Sequence, residues 1–181
     1  MAFNIDQFRS QLVRDGARPN LFEVSMPFPG IVAGAGAAQQ KLTFMARTAE
    51  LPGSTIGVVP MQYFGREVKL AGNRTFADWT ITVINDEDFI IKNAFERWHN
   101  ALNSHIGNLR NSAFTNPSSY TVDGDVKQYG KTGQVIKSYK FHGMFPADIS
   151  SIGLDWGSND TIEEFSVTFS YQYWISTGIT T

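Results

Sequence analysis

Two segments of the sequence alternate apolar and polar side chains so regularly that they restrict the fold more than any other feature. In residues 76–84 (FADWTITVI), Ala77, Trp79, Ile81 and Val83 alternate with Asp78, Thr80 and Thr82. In residues 161–176 (TIEEFSVTFSYQYWIS), aromatic and valine positions alternate with Glu164, Ser166, Thr168, Ser170 and Gln172. Successive side chains of a strand point to opposite faces, so each segment predicts a strand with one buried and one polar face. The alternating part of the second strand, residues 164–176, would span roughly 40 Å, which is longer than strands usually run and predicts that it extends beyond its own domain.

The remaining pattern indicates a mainly β domain with one clear helix. Further strands are predicted at 20–26, 41–48, 56–71, 133–143 and 144–156. The segment Ala71-Gly72-Asn73 is predicted to interrupt the strand pattern. Residues 87–103 predict an amphipathic helix, because apolar residues such as Phe95 and Trp98 recur at helical spacing. Asn85 or Asp86 is the expected N-cap, and the acids at 86–88 are expected to complement the helix dipole.

Three other segments complete the predicted organisation of a single domain, residues 1–181. Residues 1–16 predict an N-terminal arm or small packed helix, capped by Asn4 and ended by Gly16. Residues 30–40 (GIVAGAGAAQQ) are predicted to be the most flexible loop. Residues 104–131 predict a long loop insertion, with a short hairpin at SYTVDGDVKQYG.

Composition excludes several classes of function. The 181 residues fit one domain, and the absence of cysteine excludes disulfides, thiolate metal sites and cysteine nucleophiles. A net charge of −2 gives no basic field for sequence-specific DNA binding. The N-terminus lacks the pattern of a signal peptide, and no apolar run reaches the roughly 20 residues that cross a bilayer. The chain is therefore expected to be made in the cytosol and not inserted in a membrane.

The short motifs that resemble catalytic or ligand sites are better explained as turns. The Gly-Lys-Thr at 130–132 has Asp125 where a phosphate-binding loop needs glycine. Asp123 and Asp125 begin like a calcium loop, but Lys127 stands at the third ligand position. The three histidines have no metal-site spacing, and residues 53–57 do not match a nucleophile elbow. No catalytic residue, metal or cofactor is predicted, and the chain is not expected to be an enzyme.

A series of motifs in one order resembles the tail tube protein of contractile-tailed bacteriophages. The motifs are RPNLFEV (18–24), LPGSTIG (51–57), YFGREVKLAGNRTFADWTITVINDEDF (63–89) and NAFERWHNALNS (93–104). With the C-terminal strands, the resemblance extends from about residue 17 to residue 175. It implies a β-sandwich or barrel-like domain with one flanking α-helix. It further implies hexameric rings with a continuous inner β-barrel, stacked head to tail inside a contractile sheath as a conduit for DNA.

The resemblance also implies partners and a location. The expected partners are other copies of the chain, the tail sheath protein, the baseplate hub or initiator, the tail terminator, and the tape measure protein and genomic DNA in the lumen. The expected location is the virion tail, after assembly in the cytoplasm of the bacterial host. On this interpretation, residues 63–84 are a subunit's share of a sheet that continues around the channel, joined edge to edge with neighbouring subunits.

Candidate residues for three surfaces follow from the resemblance together with the alternation. The candidate lumen-facing residues are Asp78, Thr80, Thr82, Glu164, Ser166, Thr168, Ser170 and Gln172. The candidate assembly residues are Leu51, Pro52, Gly53, Ser54, Tyr63, Phe64, Gly65 and Arg66. Glu87 and Glu96, expected on the helix, are candidates for contact with a basic patch of the sheath.

Two alternatives stay open from the sequence. The inner tube of a contractile bacteriocin, injection particle or type VI secretion system has the same architecture and carries no genome. A monomeric carbohydrate-binding β-sandwich is an alternative of a different class, which surface aromatic residues would support.

Overall fold

The computed structural model describes residues 4–177, and the two ends of the predicted domain, 1–181, lie outside that range. The strands are β1 (Phe22–Ser25), β2 (Ala46–Ala49), β3 (Thr55–Tyr63), β4 (Arg66–Thr75), β5 (Trp79–Ile84), β6 (Val122–Tyr129), β7 (Val135–Ile149), β8 (Glu164–Ser170) and β9 (Tyr173–Ser176). The helices are α1 (Ile5–Gln11), α2 (Ala35–Met45), α3 (Ile90–Leu102) and α4 (Pro117–Tyr120).

Seven of these strands form one antiparallel sheet. Its order is β1-β6-β7-β8-β5-β2, with β9 paired to β7, while β3 and β4 form a separate two-stranded sheet. β7 connects the halves of the large sheet, because its first part pairs with β6 and its last part, from Phe145 to Ile149, pairs with β8. The predicted mainly β fold with a flanking helix is therefore confirmed, and residues 4–177 of the single subunit do not form a closed barrel.

The long C-terminal strand predicted at 161–176 is two shorter strands, so the prediction that it extends beyond its own domain is wrong. β8 pairs with β5 and β7, and β9 pairs with β7 through residues 139–142. The chain bends between them at 171–172, opposite Gly143, whose φ of 66° suits glycine. The Gln172 side chain packs against Gly143 where a Cβ would lie, and its backbone N–H donates to the His142 carbonyl at 3.0 Å.

The predicted loop at 104–131 contains a central strand, which corrects both the loop and the short hairpin within it. β6 runs unbroken through residues 122–129 and lies between β1 and β7. The sequence predicts a turn at Gly124, but this glycine lies within the sheet. A larger residue would not fit, because an added Cβ would lie 2.7 Å from the sulfur of buried Met144. The connection without helix or strand is therefore limited to 103–116, before α4.

The predicted flexible loop at 30–40 and the strand predicted at 41–48 are also corrected, because helix α2 occupies 35–45. Alanine, glutamine, lysine and leucine are strong helix formers, and the six residues that follow Gly36 are all of these types. Ala38 and Leu42 are fully buried, so packing supports a helix that contains one glycine. Only β2 remains of the predicted strand. A second helix therefore flanks the sheet beside α3.

The core lies between the helices and the apolar face of the large sheet. From α3, Ile91, Ala94, Phe95 and Trp98 are buried, as the helical spacing predicts. The Phe95 ring lies 5.8 Å from that of Phe169 in β8 and 4.9 Å from that of Phe28. The Trp98 indole nitrogen donates to the Tyr120 carbonyl at 3.1 Å, so the buried ring keeps a hydrogen bond.

The start of α3 differs from the prediction. The helix begins at Ile90 after Phe89, and neither Asn85 nor Asp86 caps it. Asp86 and Asp88 instead bind the Lys41 ammonium group from α2, and Asp88 also accepts from the Ile90 backbone N–H at 3.1 Å. Asp86 and Asp88 therefore link α2 to the start of α3, and neither lies in the first turn of α3.

Helix α1 begins as predicted but ends at Gln11, before the predicted stop at Gly16, and it does not pack on the domain. The Asn4 side chain accepts hydrogen bonds from the backbone N–H groups of Asp6 and Gln7, which is the expected N-cap. None of the residues of α1 is buried, and Ile5 and Phe8 are 72% and 64% exposed. The segment is an arm and not a packed helix.

Candidate functional site

The solvent face of β5 and β8 carries a row of paired hydroxyl groups. Thr80 Oγ1 lies 2.9 Å from Thr168 Oγ1, and Thr82 Oγ1 lies 3.3 Å from Ser166 Oγ, each pair directly opposite across the two strands. The Ser166 backbone N–H also donates to Ser150 Oγ at 2.8 Å. Cross-strand hydroxyl pairs stabilise the sheet and satisfy each other's hydrogen bonds. This surface is therefore polar and neutral along its centre.

The opposite face of the same two strands is dry. Trp79, Ile81 and Val83 in β5 and the alternate residues Phe165, Val167 and Phe169 in β8 are all buried. The hydroxyl face therefore points away from α3, as the alternation predicts, and six of the eight candidate lumen residues lie on these two strands.

Three of the candidate lumen residues lie apart from the hydroxyl pairs. Glu164 forms an ion pair with Arg47 of β2. Asp78 lies exposed in the connection just before β5, and Gln172 lies exposed in the bend between β8 and β9. Asp148, which the sequence reasoning did not select, pairs with Thr168 in the register and is exposed on the same face.

The candidate assembly residues fall into two groups. Residues 51–54 lie against the body of the domain without forming the predicted turn, and the Trp174 indole nitrogen donates to the Gly53 carbonyl at 3.0 Å. Tyr63, Phe64, Gly65 and Arg66 form the tip of the β3–β4 hairpin. The structure does not bring the two groups together, because one is at the base of the hairpin and the other at its tip.

The β3–β4 hairpin projects into solvent over its whole length, and no residue in it is buried. Its turn is at Phe64-Gly65, with φ of 43° and 82°, and β4 continues through 71–73, where the predicted interruption is a local shift in pairing register and not the end of a strand. Gly72 is needed beside Gly57, because an added Cβ would lie 3.0 Å from the Gly57 carbonyl oxygen. The irregularity in register lies at this point, between Ile56 and Val58.

The hairpin has one mainly apolar face and one face of mixed apolar and polar residues. The register places Val59 opposite Leu70, Met61 opposite Val68 and Tyr63 opposite Arg66 on one side. The other side carries Val58, Pro60, Gln62, Glu67, Lys69 and Ala71. The sequence reasoning did not select the aliphatic pairs of the first face, although their alternation within 58–70 is a sequence signal. An isolated two-stranded hairpin is at best marginally stable in water, so this apolar face indicates an interface.

The two candidate sheath residues occupy different elements. Glu96 is exposed on α3. Glu87 lies in the turn before α3, which corrects its expected place on the helix. Its neighbours Asp86 and Asp88 both accept hydrogen bonds from Lys41, which lowers their pKa values and raises that of Lys41.

The remaining motifs do not form a chemical site in the described part of the chain. Gly130-Lys131-Thr132 lies in the turn between β6 and β7, where the Gly130 N–H donates to the Gln134 carbonyl at 2.9 Å. Within residues 4–177, no group of histidine and acidic side chains is arranged to hold a metal ion. Over the same range, the helices are too short or too polar to cross a bilayer.

Comparison with known proteins identifies the family. A family model described as "Phage tail tube protein" matches residues 17–177. The chain is 31% identical over 161 residues to "Tail tube protein gp19" of Enterobacteria phage T4, covering 88% of this chain and 91% of that one. The chain belongs to the phage tail tube protein family. A tail tube protein of Serratia phage KSP90 is 26% identical over 169 residues, with 92% and 93% coverage.

Solved structures support the tail tube fold independently of the sequence. The chain from the anti-feeding prophage tube-terminating cap aligns with a TM-score of 0.65 at 16% identity, covering 98% of this chain and 99% of that one. A chain of the PVC sheath-tube complex, part of an extracellular contractile injection system, aligns with a TM-score of 0.56 at 13% identity, with 98% and 100% coverage. The resemblance to tail tube proteins drawn from the sequence motifs is thus confirmed.

Proposed function

We propose that this tail tube family member forms the inner tube of a contractile phage tail. Six copies form a ring, the rings stack head to tail, and the hollow tube conducts DNA into the host. The protein acts in the virion tail after assembly in the bacterial cytoplasm, and its role is structural and not enzymatic. The hydroxyl face of β5 and β8 lines the bore, and the β3–β4 hairpin joins each subunit to its neighbours.

The observation that carries the proposal is the contrast between the two faces of β5 and β8, together with the exposed hairpin. One face is buried against α3, and the other keeps four strictly positioned hydroxyl groups in solvent. The hairpin exposes eight large apolar side chains, which a soluble monomer rarely does. Ring formation covers this apolar surface and leaves the hydroxyl face free.

The hydroxyl face suits a surface along which DNA passes. Lysine-rich linings bind phosphates through release of counterions and would retain the polymer. The central pairs here are neutral, and Arg47 of β2 forms an ion pair with Glu164 of β8. With Asp78 and Asp148 at the edges, the face is weakly acidic and repels a polyanion.

The outer surface is the proposed contact for the sheath. Glu96 on α3 and Glu87 before it are exposed on the helical side of the domain, away from the hydroxyl face. Exposed carboxylates there would steer a basic patch of the sheath protein. The remaining proposed partners, namely the baseplate initiator, the terminator, the tape measure protein and DNA, act at the ends or in the bore of the tube.

The test of this proposal is the assembly state of the purified protein. We expect analytical ultracentrifugation of the concentrated protein to detect hexamers or larger species, and negative-stain electron microscopy to reveal six-fold rings or hollow tubes. A strict monomer at every concentration that binds glycans would contradict the proposal and support the carbohydrate-binding alternative. The bacteriocin or secretion tube gives the same rings and is separated by the presence of capsid and portal genes beside this one.

A further inference from the structure

The β5–β8 sheet has two different ends, and each end carries a distinct exposed feature. The β3–β4 hairpin emerges at the end where β5 begins, between β2 and Trp79. At the other end, residues 150–163 connect β7 to β8 and are held to the end of β5, because Asn85 donates to Glu163 from its backbone at 2.8 Å and from its side chain at 2.9 Å. We name residues 150–163 the Trp156 loop.

The Trp156 loop exposes large apolar side chains. Trp156 is 101% exposed, Leu154 82% and Ile162 69%. The turn that presents Trp156 is hydrogen-bonded, because Asp155 Oδ1 accepts from the Gly157 N–H at 3.0 Å. A fully exposed tryptophan on an ordered turn is costly in water, and tryptophan is among the residues that most often dominate the energy of an interface.

The tip of the hairpin carries a matching surface at the opposite end of the sheet. Phe64 is 92% exposed, its ring packs edge-on against Tyr63 at 4.6 Å, and Arg66 follows two residues later. Phe64 has a φ of 43°, a conformation in which asparagine or glycine would be less strained. An aromatic residue kept in this conformation at an exposed tip indicates that its side chain is used for contact.

The charges of the two features are complementary. The Trp156 loop contains Asp155, Asp160 and Glu163 and no cation, so its formal charge is −3. The half of the hairpin that includes its tip, residues 60–70, contains Arg66 and Lys69 against Glu67, so its formal charge is +1. Opposite charges on two surfaces favour their encounter and fix their relative orientation.

We propose that the hairpin tip of one copy binds the Trp156 loop of a copy in the adjacent ring. The proposal rests on the proposed function, because it specifies which surfaces join stacked rings of this chain. Two unlike surfaces at opposite ends of one subunit form a heterologous contact that repeats without closing, which is what a tube of unlimited length requires. Each strand of the hairpin is about 30 Å long at ~3.3 Å per residue, sufficient to reach past its own ring.

Alanine variants separate stacking from ring formation. We expect Trp156→Ala to keep the hexameric ring and to raise the protein concentration needed for tubes by more than about tenfold, since truncating a central aromatic residue typically costs at least that much in binding. Leu154→Ala should have a smaller effect in the same direction. Leu109→Ala is the matched control, because Leu109 is 71% exposed in the loop after α3 and lies outside the proposed contact.

Cysteine cross-linking tests the contact itself, and the chain has no native cysteine to interfere. We expect Phe64→Cys/Trp156→Cys to form a ladder of covalent oligomers on oxidation of tubes, whereas Phe64→Cys/Leu109→Cys does not. If Trp156→Ala rings stack at the wild-type concentration and no 64–156 cross-link forms in tubes, this inference is overturned while the tube function stands. If the wild-type chain forms no rings, the tube function and this contact fail together.

Discussion

At the scale of single residues, Lys41 makes the most informative contact, because it joins two helices through their charges. Its ammonium group is hydrogen-bonded to both Asp86 and Asp88, with the Asp86 contact at 2.6 Å. The hydrogen bonds from Lys41 hold the pKa values of both carboxyl groups below their usual 3.8, and raise the pKa of Lys41 above its usual 10.5. The contact thus stabilises the fold only while all three groups are charged.

The pH dependence of this contact follows from the directions of these shifts. Groups with lowered pKa values stabilise the fold above their usual pKa and lose that contribution as the pH falls through the lowered value. The raised pKa of Lys41 adds stability below pH 10.5, which is lost as the pH rises through the raised value. We expect Lys41→Met to lower the Tm at neutral pH, and the difference from wild type to shrink below about pH 3.8.

The measurement is thermal unfolding followed by circular dichroism across this pH range. Lys69→Met is the matched control, because Lys69 is an exposed lysine on the hairpin, and it should leave the Tm unchanged. A Lys41→Met difference that is the same at pH 3 and pH 7 would contradict the electrostatic role.

Two neighbouring residues of α3 test the assignment of its faces. Phe95 is fully buried between Phe28 and Phe169, whereas Glu96 is exposed. We expect Phe95→Ala to lower the free energy of unfolding by about 3–5 kcal/mol, because it leaves a cavity in the core. Glu96→Ala should change it by less than about 0.5 kcal/mol. Urea unfolding measures both changes. Equal effects would contradict the assignment of Phe95 to the buried face of α3 and of Glu96 to its exposed face.

At the scale of elements, the sequence predicted the strands and helices whose apolar residues recur at regular spacing. It failed for elements that form because of contacts with distant parts of the chain. β5 and α3 were found because Ile81, Val83, Phe95 and Trp98 lie at regular spacing toward one core. Residues 35–45 were predicted as loop and strand because their glycine and alanines carry little periodic signal, although a helix forms there with Leu42 fully buried. A prediction from local pattern does not include the contact with α3 that stabilises α2.

The C-terminal strands illustrate a second limit. Alternation continues through 164–176, so the sequence predicts one long strand. The break at 171–172 depends on Gly143, which is 28 residues earlier in the sequence and allows both paired strands to bend together. Likewise, the glycine of β6 is explained by Met144 across the sheet. Such partners are assigned by the register, which single-sequence reasoning does not supply.

The sequence identified the candidate lumen residues but not the aliphatic face of the hairpin. Thr80, Thr82, Ser166 and Thr168 were selected by alternation, and the register places them in opposed pairs. The aliphatic face of the hairpin was missed because Phe64-Gly65 does not resemble the Asn-Gly turn of a typical hairpin. Without a recognisable turn sequence, the pairing of the two strands cannot be assigned, and neither can the face on which each residue of 56–75 lies.

The hairpin leads to a prediction at this scale, because it buries none of its residues. Replacing residues 56–74 by a short glycine-containing turn should leave the domain folded, since Thr55 and Thr75 are already paired. We expect the Tm to change little and the protein to remain monomeric at all concentrations. Circular dichroism and sedimentation velocity measure the two properties, and a shortened variant that still forms rings would contradict an assembly role for the hairpin.

At the scale of the whole molecule, the subunit has three dissimilar surfaces. One is the neutral hydroxyl face, one is the helical side with its exposed acids, and the third comprises the two ends with opposite charge. A ring that places the hydroxyl face inward leaves the helices outside and the unlike ends above and below. Bore, outer wall and stacking contacts can therefore all come from one chain.

The most direct test of this account is a cryo-electron microscopy reconstruction of assembled tubes at side-chain resolution. The account predicts that Thr80, Thr82, Ser166 and Thr168 line the bore and that α3 lies on the outer wall. A reconstruction with these hydroxyl groups buried between subunits or on the outer surface would contradict it.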